Sequence, residues 1–281
     1  MPPRHPSPEP GEGNAERSGA RERERTCRVA TFAPRGHIAT VITAARPAPT
    51  GIALAAAVAA AWATIHIGGL FVWRLGWWSA PLILAQAWLS TGLFIVAHDA
   101  MHGSLAPGRA RVNLWAGRIA LRLYAMLSFD TLRRAHFEHH RRPGSDTDPD
   151  FHPGHPRAFV PWLIRFFGGY YTHLMLALIT VRIWVYIALG AAPSHIVLFW
   201  GVPSVLAVFQ LFYFGTFLPH RHAEDIFTDR HNARSNAMGR WAAVASCFNF
   251  GAYHHEHHLF PDTPWWRLPA RRQRGADLVG S

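Results

Sequence analysis

Nineteen of the 281 residues are histidine, and their spacing says more than their number. His98 and His102 frame the pentapeptide HDAMH. His136, His139 and His140 form HFEHH, and His254, His257 and His258 form HHEHH, with His255 inside the box. On a helix, positions i and i+4 lie on one face with i+3 beside them, so each box would bring its imidazoles together. His220 and His222 follow in LPHRH, and His231 in DRHNARS.

Imidazole nitrogen is the commonest side-chain metal donor near neutral pH and suits iron, zinc and copper. A catalytic zinc takes three protein ligands and a structural one four. Eight histidines in three boxes exceed that need and suit two metals. Neutral donors would leave both metals cationic and open to a small molecule such as dioxygen. The zincin signature HExxH is absent, because Glu138 occupies the wrong position in the second box. His66 and His173, which lack spaced partners, are expected to pack or hydrogen-bond. His5, His37, His152, His155 and His195 are expected to be solvated.

The segments that must position these boxes are strongly apolar. The chain is 49% hydrophobic and 16% charged, and all 28 of its basic residues are arginine. Residues 51–73 and 77–97 carry no formal charge, 172–190 carries only Arg182, and 195–218 is again uncharged. Each is long enough to approach or cross about 30 Å of hydrocarbon. The links at 74–76 and 191–194 are short. The expected fold is therefore an all-α integral membrane protein with four transmembrane helices in two hairpins. Residues 114–127 and 158–171 are amphipathic and read as interfacial helices, and 241–253 as another. Arg182 is expected to face the bundle or snorkel, in a structural role.

Residues 1–48, rich in Arg, Glu and Pro, read as a disordered cytosolic tail without the apolar core of an export signal. A membrane domain follows over 49–270, then a short tail over 271–281. An even number of crossings leaves the N-terminus, the central loop and the C-terminus on one face. That face holds 26 of the 28 arginines, so the positive-inside rule makes it cytoplasmic. The three histidine boxes fall on the same face, although they played no part in orienting the chain.

The net charge of +11 does not imply nucleic acid, because the arginines punctuate apolar segments and form no aromatic-interleaved stripe. Cys27 and Cys247 make neither a disulfide framework nor a metal motif. A metal transporter would place ionisable ligands at mid-membrane in broken helices. Here the boxes lie at helix ends, which leaves a His-rich transporter a distant alternative.

Together these words resemble the membrane fatty-acid desaturase/hydroxylase superfamily of non-haem di-iron enzymes. Its bacterial β-carotene ketolase branch is the closer likeness, through HDAMHGSLAPG (98–108), HFEHH followed by DTDPDF (146–151), FGTFLPHRH (214–222), DRHNARS (229–235) and FNFGAYHHEHHLFPDTPWWRLP (248–269). The likeness covers roughly residues 50–270. It implies a bundle under a cytosolic His-rich cap in the bacterial cytoplasmic membrane, holding two iron ions and using dioxygen as co-substrate. It implies iron ligands at His98, His102, His136, His139, His140, His254, His257 and His258, with His220 and His231 as further candidates. His222 is a weaker candidate, and His255 would support a neighbouring ligand. Asp99, Glu138 and Glu256, lying between ligands, are expected to accept the outer ring N–H of a bound histidine.

The implied reaction is two successive hydroxylations at C4 of the β-ionone ring of β-carotene. The resulting geminal diol loses water to leave a 4-keto group, giving echinenone and then canthaxanthin. Trp88, Phe94, Phe212 and Phe214 are expected to line the groove for the carotenoid among the membrane lipids. No nicotinamide or flavin motif is present, so electrons would come from an external, ferredoxin-like donor. A fatty-acyl desaturase or carotenoid 3-hydroxylase with the same metal centre is the alternative that box spacing cannot separate.

Overall fold

The computed structural model describes residues 49–222, 227 and 229–272, and every regular element among them is helical. The expected tail over 1–48 and most of that over 271–281 lie outside the described residues. The order is α1 (Pro49–Val72), α2 (Ser79–His102), α3 (Ala110–Ala125), α4 (Phe129–Arg141), α5 (Phe159–Tyr170), α6 (His173–Ala188), α7 (Pro193–His220), α8 (Arg240–Cys247) and α9 (His254–Leu259).

Three helices, α1, α2 and α7, are long and apolar enough to cross a membrane. The shortest has 24 residues, about 36 Å at 1.5 Å per residue. The third expected span differs from its reading. α6 has only 16 residues, about 24 Å of rise. It joins α5 at an 81° bend, and only together do the two qualify as a fourth, broken span. The bend has a local cause. Tyr171 is extended, and Thr172 Oγ1 accepts the N–H of Met175 at 3.0 Å, which starts a new helix in a new direction.

α2 is the most buried span and packs against α1, α3 and α7. Within an apolar bundle each polar group needs an internal partner. Trp62 donates to Ser90 at 3.0 Å, linking α1 to α2, and Thr91 donates to Gln210 at 2.7 Å, linking α2 to α7. Arg182 donates to the carbonyls of Arg122 and Leu123 at 2.7 and 2.9 Å and lies over the Trp200 ring. It thus satisfies the open C-terminal end of α3, the structural role expected of it. His66 stacks on Trp62 and hydrogen-bonds the Tyr186 hydroxyl at 2.8 Å. His195, expected to be solvated, instead donates from Nδ1 to the Gly69 carbonyl at 2.7 Å.

Two features set where the histidines fall. α2 continues past residue 97 to His102 and stops at Gly103, whose φ of +74° is the left-handed conformation glycine adopts without strain. α7 widens into π turns at Val197–Gly201 and Tyr213–Phe217, each ending two residues before a proline, Pro203 or Pro219. Proline has no N–H and its ring crowds the carbonyl four residues back, so a wider turn relieves the strain. The second π turn inserts a residue into the register just before His220.

The 241–253 segment is not one helix. α8 ends at Cys247, and Phe248 and Asn249 take left-handed φ values of 47° and 70°. Asn249 is anchored there by its side chain, which donates to the Trp265 carbonyl at 3.1 Å.

Candidate metal centre

The periodicity of the boxes sorts their side chains into two groups. In α2, His98 and His102 are i and i+4 and share a face. In α4, His136 and His140 share a face while His139 looks across its edge. In α9, His254 and His258 share a face while His257 looks across the other edge. One group therefore gathers His98, His102, His136, His140 and His257, and the other gathers His139, His254, His258 and His220 from the end of α7. Within each group the donor atoms lie within 4.8 Å of one another. The groups abut where the His140 and His258 rings stack at 4.3 Å.

The donors face inward at short range. Nε2 of His102 lies 2.7 Å from Nε2 of His136, and His140 and His257 meet the same way at 2.9 Å. In the second group, Nε2 of His254 lies 2.9 Å from that of His220 and 3.1 Å from that of His258. Two imidazole lone pairs at such distances repel unless a proton or a cation lies between them. Metal–imidazole bonds of about 2.0–2.1 Å put neighbouring nitrogens of a right-angled coordination sphere roughly 3 Å apart. The donor set fits metal ions at both groups.

Protonation states agree with this. Burial, then the proximity of the other imidazoles, holds His136, His140, His254, His257 and His258 well below the ordinary histidine value. These rings are neutral near pH 7, with a lone pair each to donate. His139 is the exception. Burial lowers it, but the hydrogen bond and charge of Asp148 outweigh burial and raise it.

Two loop residues that the sequence reading did not single out orient histidines of the two groups. Both Asp148 oxygens lie 3.0 Å from His139 Nδ1, and Asp148 is buried. Its oxygens also accept the backbone N–H groups of Gly144 and Asp150, at 2.8 and 2.9 Å. The Asn232 carbonyl accepts from His220 Nδ1 at 2.7 Å. In both cases the outer nitrogen carries the proton, so Nε2 faces inward with its lone pair free. The signal for both lay in the words DTDPDF and DRHNARS, which hold Asp148 and Asn232.

Other expected participants lie elsewhere. His231 is outside both groups, its ring centre 6.1 Å from that of His258, because Asp229 Oδ1 accepts its backbone N–H and fixes a turn. His222 is exposed and packs near Phe151. His255 hydrogen-bonds Asp229 at 2.8 Å and belongs to neither group. The three carboxylates expected to support ligands do not reach an imidazole within hydrogen-bond distance. Asp99 accepts the Trp265 N–H and stays 3.8 Å from His98 Nδ1. Glu138 is exposed and pairs with Arg141, and Glu256 pairs with Arg272 and Ser235. No carboxylate enters either group among the described residues.

A cavity of about 320 Å³ reaches the first group. His98 and His136 form part of its wall, and Phe94, Met101, Leu132, Phe167, Val208 and Leu211 are among its apolar lining. Of the four aromatics expected there, Phe94 lines it. Trp88 instead stacks on Phe248 at 4.5 Å, and Phe212 is buried in a cluster with Phe151, Trp162 and Phe217. Phe214 packs against Gly251. On the same wall, burial raises the Asp150 carboxyl above its ordinary value.

The sequence model of the family described as Fatty acid desaturase matches residues 75–178 and 169–279. Two proteins named Beta-carotene ketolase, from two strains of Paracoccus sp., are 45% and 44% identical to the chain. These alignments cover 80% and 82% of it, and 93% and 97% of the relatives. The Zeaxanthin 4-ketolase of Chlamydomonas reinhardtii is 37% identical over 82% of this chain and 55% of its own.

Proposed function

Since this chain belongs to the fatty acid desaturase family, we propose that it is a membrane-bound di-iron oxygenase that introduces a 4-keto group into the β-ionone rings of β-carotene. The observation that carries the reading is an apolar cavity whose wall includes two imidazoles of a five-histidine group, with four more histidines directly behind. The ketolase relatives support the carotenoid as substrate.

In this reading His98, His102, His136, His140 and His257 hold one iron, and His139, His220, His254 and His258 the other. All-nitrogen donors suit iron that must bind a further small ligand. Iron bound there supplies the activation of dioxygen that an unactivated ring C–H bond requires. The chain's own residues do the rest. Phe94, Leu211 and their neighbours bind the ring by apolar contact and exclude water. Asp148 and the Asn232 carbonyl fix the tautomers of His139 and His220. Each hydroxylation replaces a C–H by C–OH, consumes one dioxygen, two protons and two electrons, and releases water. The second yields a geminal diol that dehydrates to the ketone.

The electrons come from an external ferredoxin-like donor, which the arginine-rich face would attract. The chain crosses the membrane four times, with the α5–α6 pair as the third crossing, and the arginine-rich face and metal centre are cytoplasmic.

The test is pigment analysis of β-carotene-producing cells expressing the chain, beside a His139→Ala control. Echinenone and canthaxanthin, lost in the control, are the expected result. Unchanged β-carotene with well-expressed, iron-loaded protein would overturn the carotenoid assignment and turn attention to acyl chains.

A further inference from the structure

Besides its two imidazoles, the cavity wall carries a second polar feature made by Asp150 and Tyr170. The Tyr170 hydroxyl donates to Asp150 Oδ1. The loop that bears Asp150 is clamped from several sides. Its backbone N–H donates to Asp148 at 2.9 Å, and its carbonyl accepts from Trp162 Nε1 at 2.7 Å. The next carbonyl, of Phe151, accepts from Arg165 at 2.9 Å. Asp148 in turn holds His139. One clamped loop therefore carries both the carboxylate that orients a metal-binding imidazole and, two residues on, Asp150 in the cavity wall.

A polar pair in an apolar cavity is costly unless satisfied. Asp150 and Tyr170 satisfy part of each other's demand and keep the rest. A carboxylate accepts at about four lone-pair sites, and a phenol oxygen that donates can still accept. The pair therefore retains capacity for one more hydroxyl. A hydrocarbon ring offers none, but the proposed reaction creates one inside this cavity after its first half.

We propose that Asp150 and Tyr170 form a hydroxyl-binding subsite that retains the half-oxidised 4-hydroxy ring and turns the remaining C–H of the same carbon toward the metal-bearing histidines. The pair positions the substrate and takes no part in breaking bonds. The oxidation itself uses dioxygen and the external two-electron donor in both halves, and water leaves the geminal diol at the end. This inference rests on the ketolase reading.

The test uses the full chain in two assays. In β-carotene-producing cells, the ratio of 4-hydroxy to 4-keto rings is measured for the wild type, Tyr170→Phe and Asp150→Asn. The ratio is expected to rise about tenfold in both variants, because losing one hydrogen bond to a charged group has that order of effect. In lipid nanodiscs, binding of a 4-hydroxy carotenoid and of β-carotene to the metal-free protein is compared. Tyr170→Phe, which keeps the ring and its packing, is expected to weaken the hydroxylated ligand about tenfold more than the hydrocarbon. An unchanged product ratio, or equal weakening of both ligands, would show that the pair only ties α5 to its loop. If the wild type makes no 4-oxidised product, the ketolase reading fails, and the binding comparison still decides whether the subsite takes a hydroxyl. If Asp150→Asn does not fold, Tyr170→Phe carries both assays.

Discussion

Replacing Asp148 by Asn tests whether the metal centre is organised from outside as well as by its ligands. The carboxylate makes four contacts with two atoms: each oxygen lies 3.0 Å from His139 Nδ1, and each accepts one backbone N–H. An amide keeps only one oxygen. Its NH2 must face either Gly144 N–H or Asp150 N–H, donor against donor, in a site with almost no solvent. One unsatisfied buried N–H costs about 1–3 kcal/mol. The charge that raises the basicity of His139 is lost as well, and such outer partners typically contribute 10–100-fold in metal affinity, about 1.4–2.7 kcal/mol. The expected result for Asp148→Asn is iron that chelator strips roughly ten times faster or more, together with a lower unfolding temperature. Glu138→Gln serves as the control. Glu138 lies between two ligands in sequence, yet it is exposed and pairs with Arg141, so about 0–1 kcal/mol and no change in iron release are expected. Iron content by mass spectrometry and the time course of release to a chelator measure both. Equal release from Asp148→Asn and wild type, or faster release from Glu138→Gln, would refute the reasoning.

Further outcomes follow from the same geometry. His220→Ala is expected to lower iron content by depleting the second group, whereas His231→Ala, whose ring lies outside both groups, should retain it. Metal analysis of the two purified variants separates these cases. Val208→Trp is expected to fill the cavity and abolish product formation while iron content stays at the wild-type level, because Val208 lines the wall and is no ligand. Arg182→Met removes two hydrogen bonds to the end of α3 and should cost about 1–3 kcal/mol, read as a lower thermal midpoint in detergent with iron binding intact.

Much of this architecture could be read from residue spacing. Charge-free stretches marked α1, α2 and α7. The i, i+4 pairs of the boxes lie on shared helical faces as expected, but each three-histidine box gives its middle imidazole to the other group instead of keeping all three together. Other parts depend on contacts that spacing does not encode. The boundary between 158–171 and 172–190 was legible as a polar break at 168–173, but not the 81° bend there, which rests on extended backbone and the Thr172 cap. His220 and His231 stood in equally suggestive words, and the π turn before Pro219 and the Asp229 turn place His220 inside the second group and His231 outside both. Asp148 approaches His139 from nine residues away through a turn closed by Gly144. The carboxylates next to these histidines in sequence, Glu138 and Glu256, pair instead with arginines, Glu138 in the open and Glu256 half-buried. Adjacency along a helix sends neighbours to different faces, and the outer partners of His139 and His220 come instead from loops that cross them.

The central claim is that two histidine groups hold two irons, and that this pair carries the carotenoid oxidation. Its most direct test measures iron per chain and 4-keto product in one preparation. The samples are wild type, His102→Ala from the first group and His254→Ala from the second, each loaded without oxygen and then given dioxygen, electron donor and β-carotene. The account predicts two irons per wild-type chain, fewer in either variant, and ketone only from the wild type. Full ketone formation by either variant, or by protein holding a single metal, would contradict it.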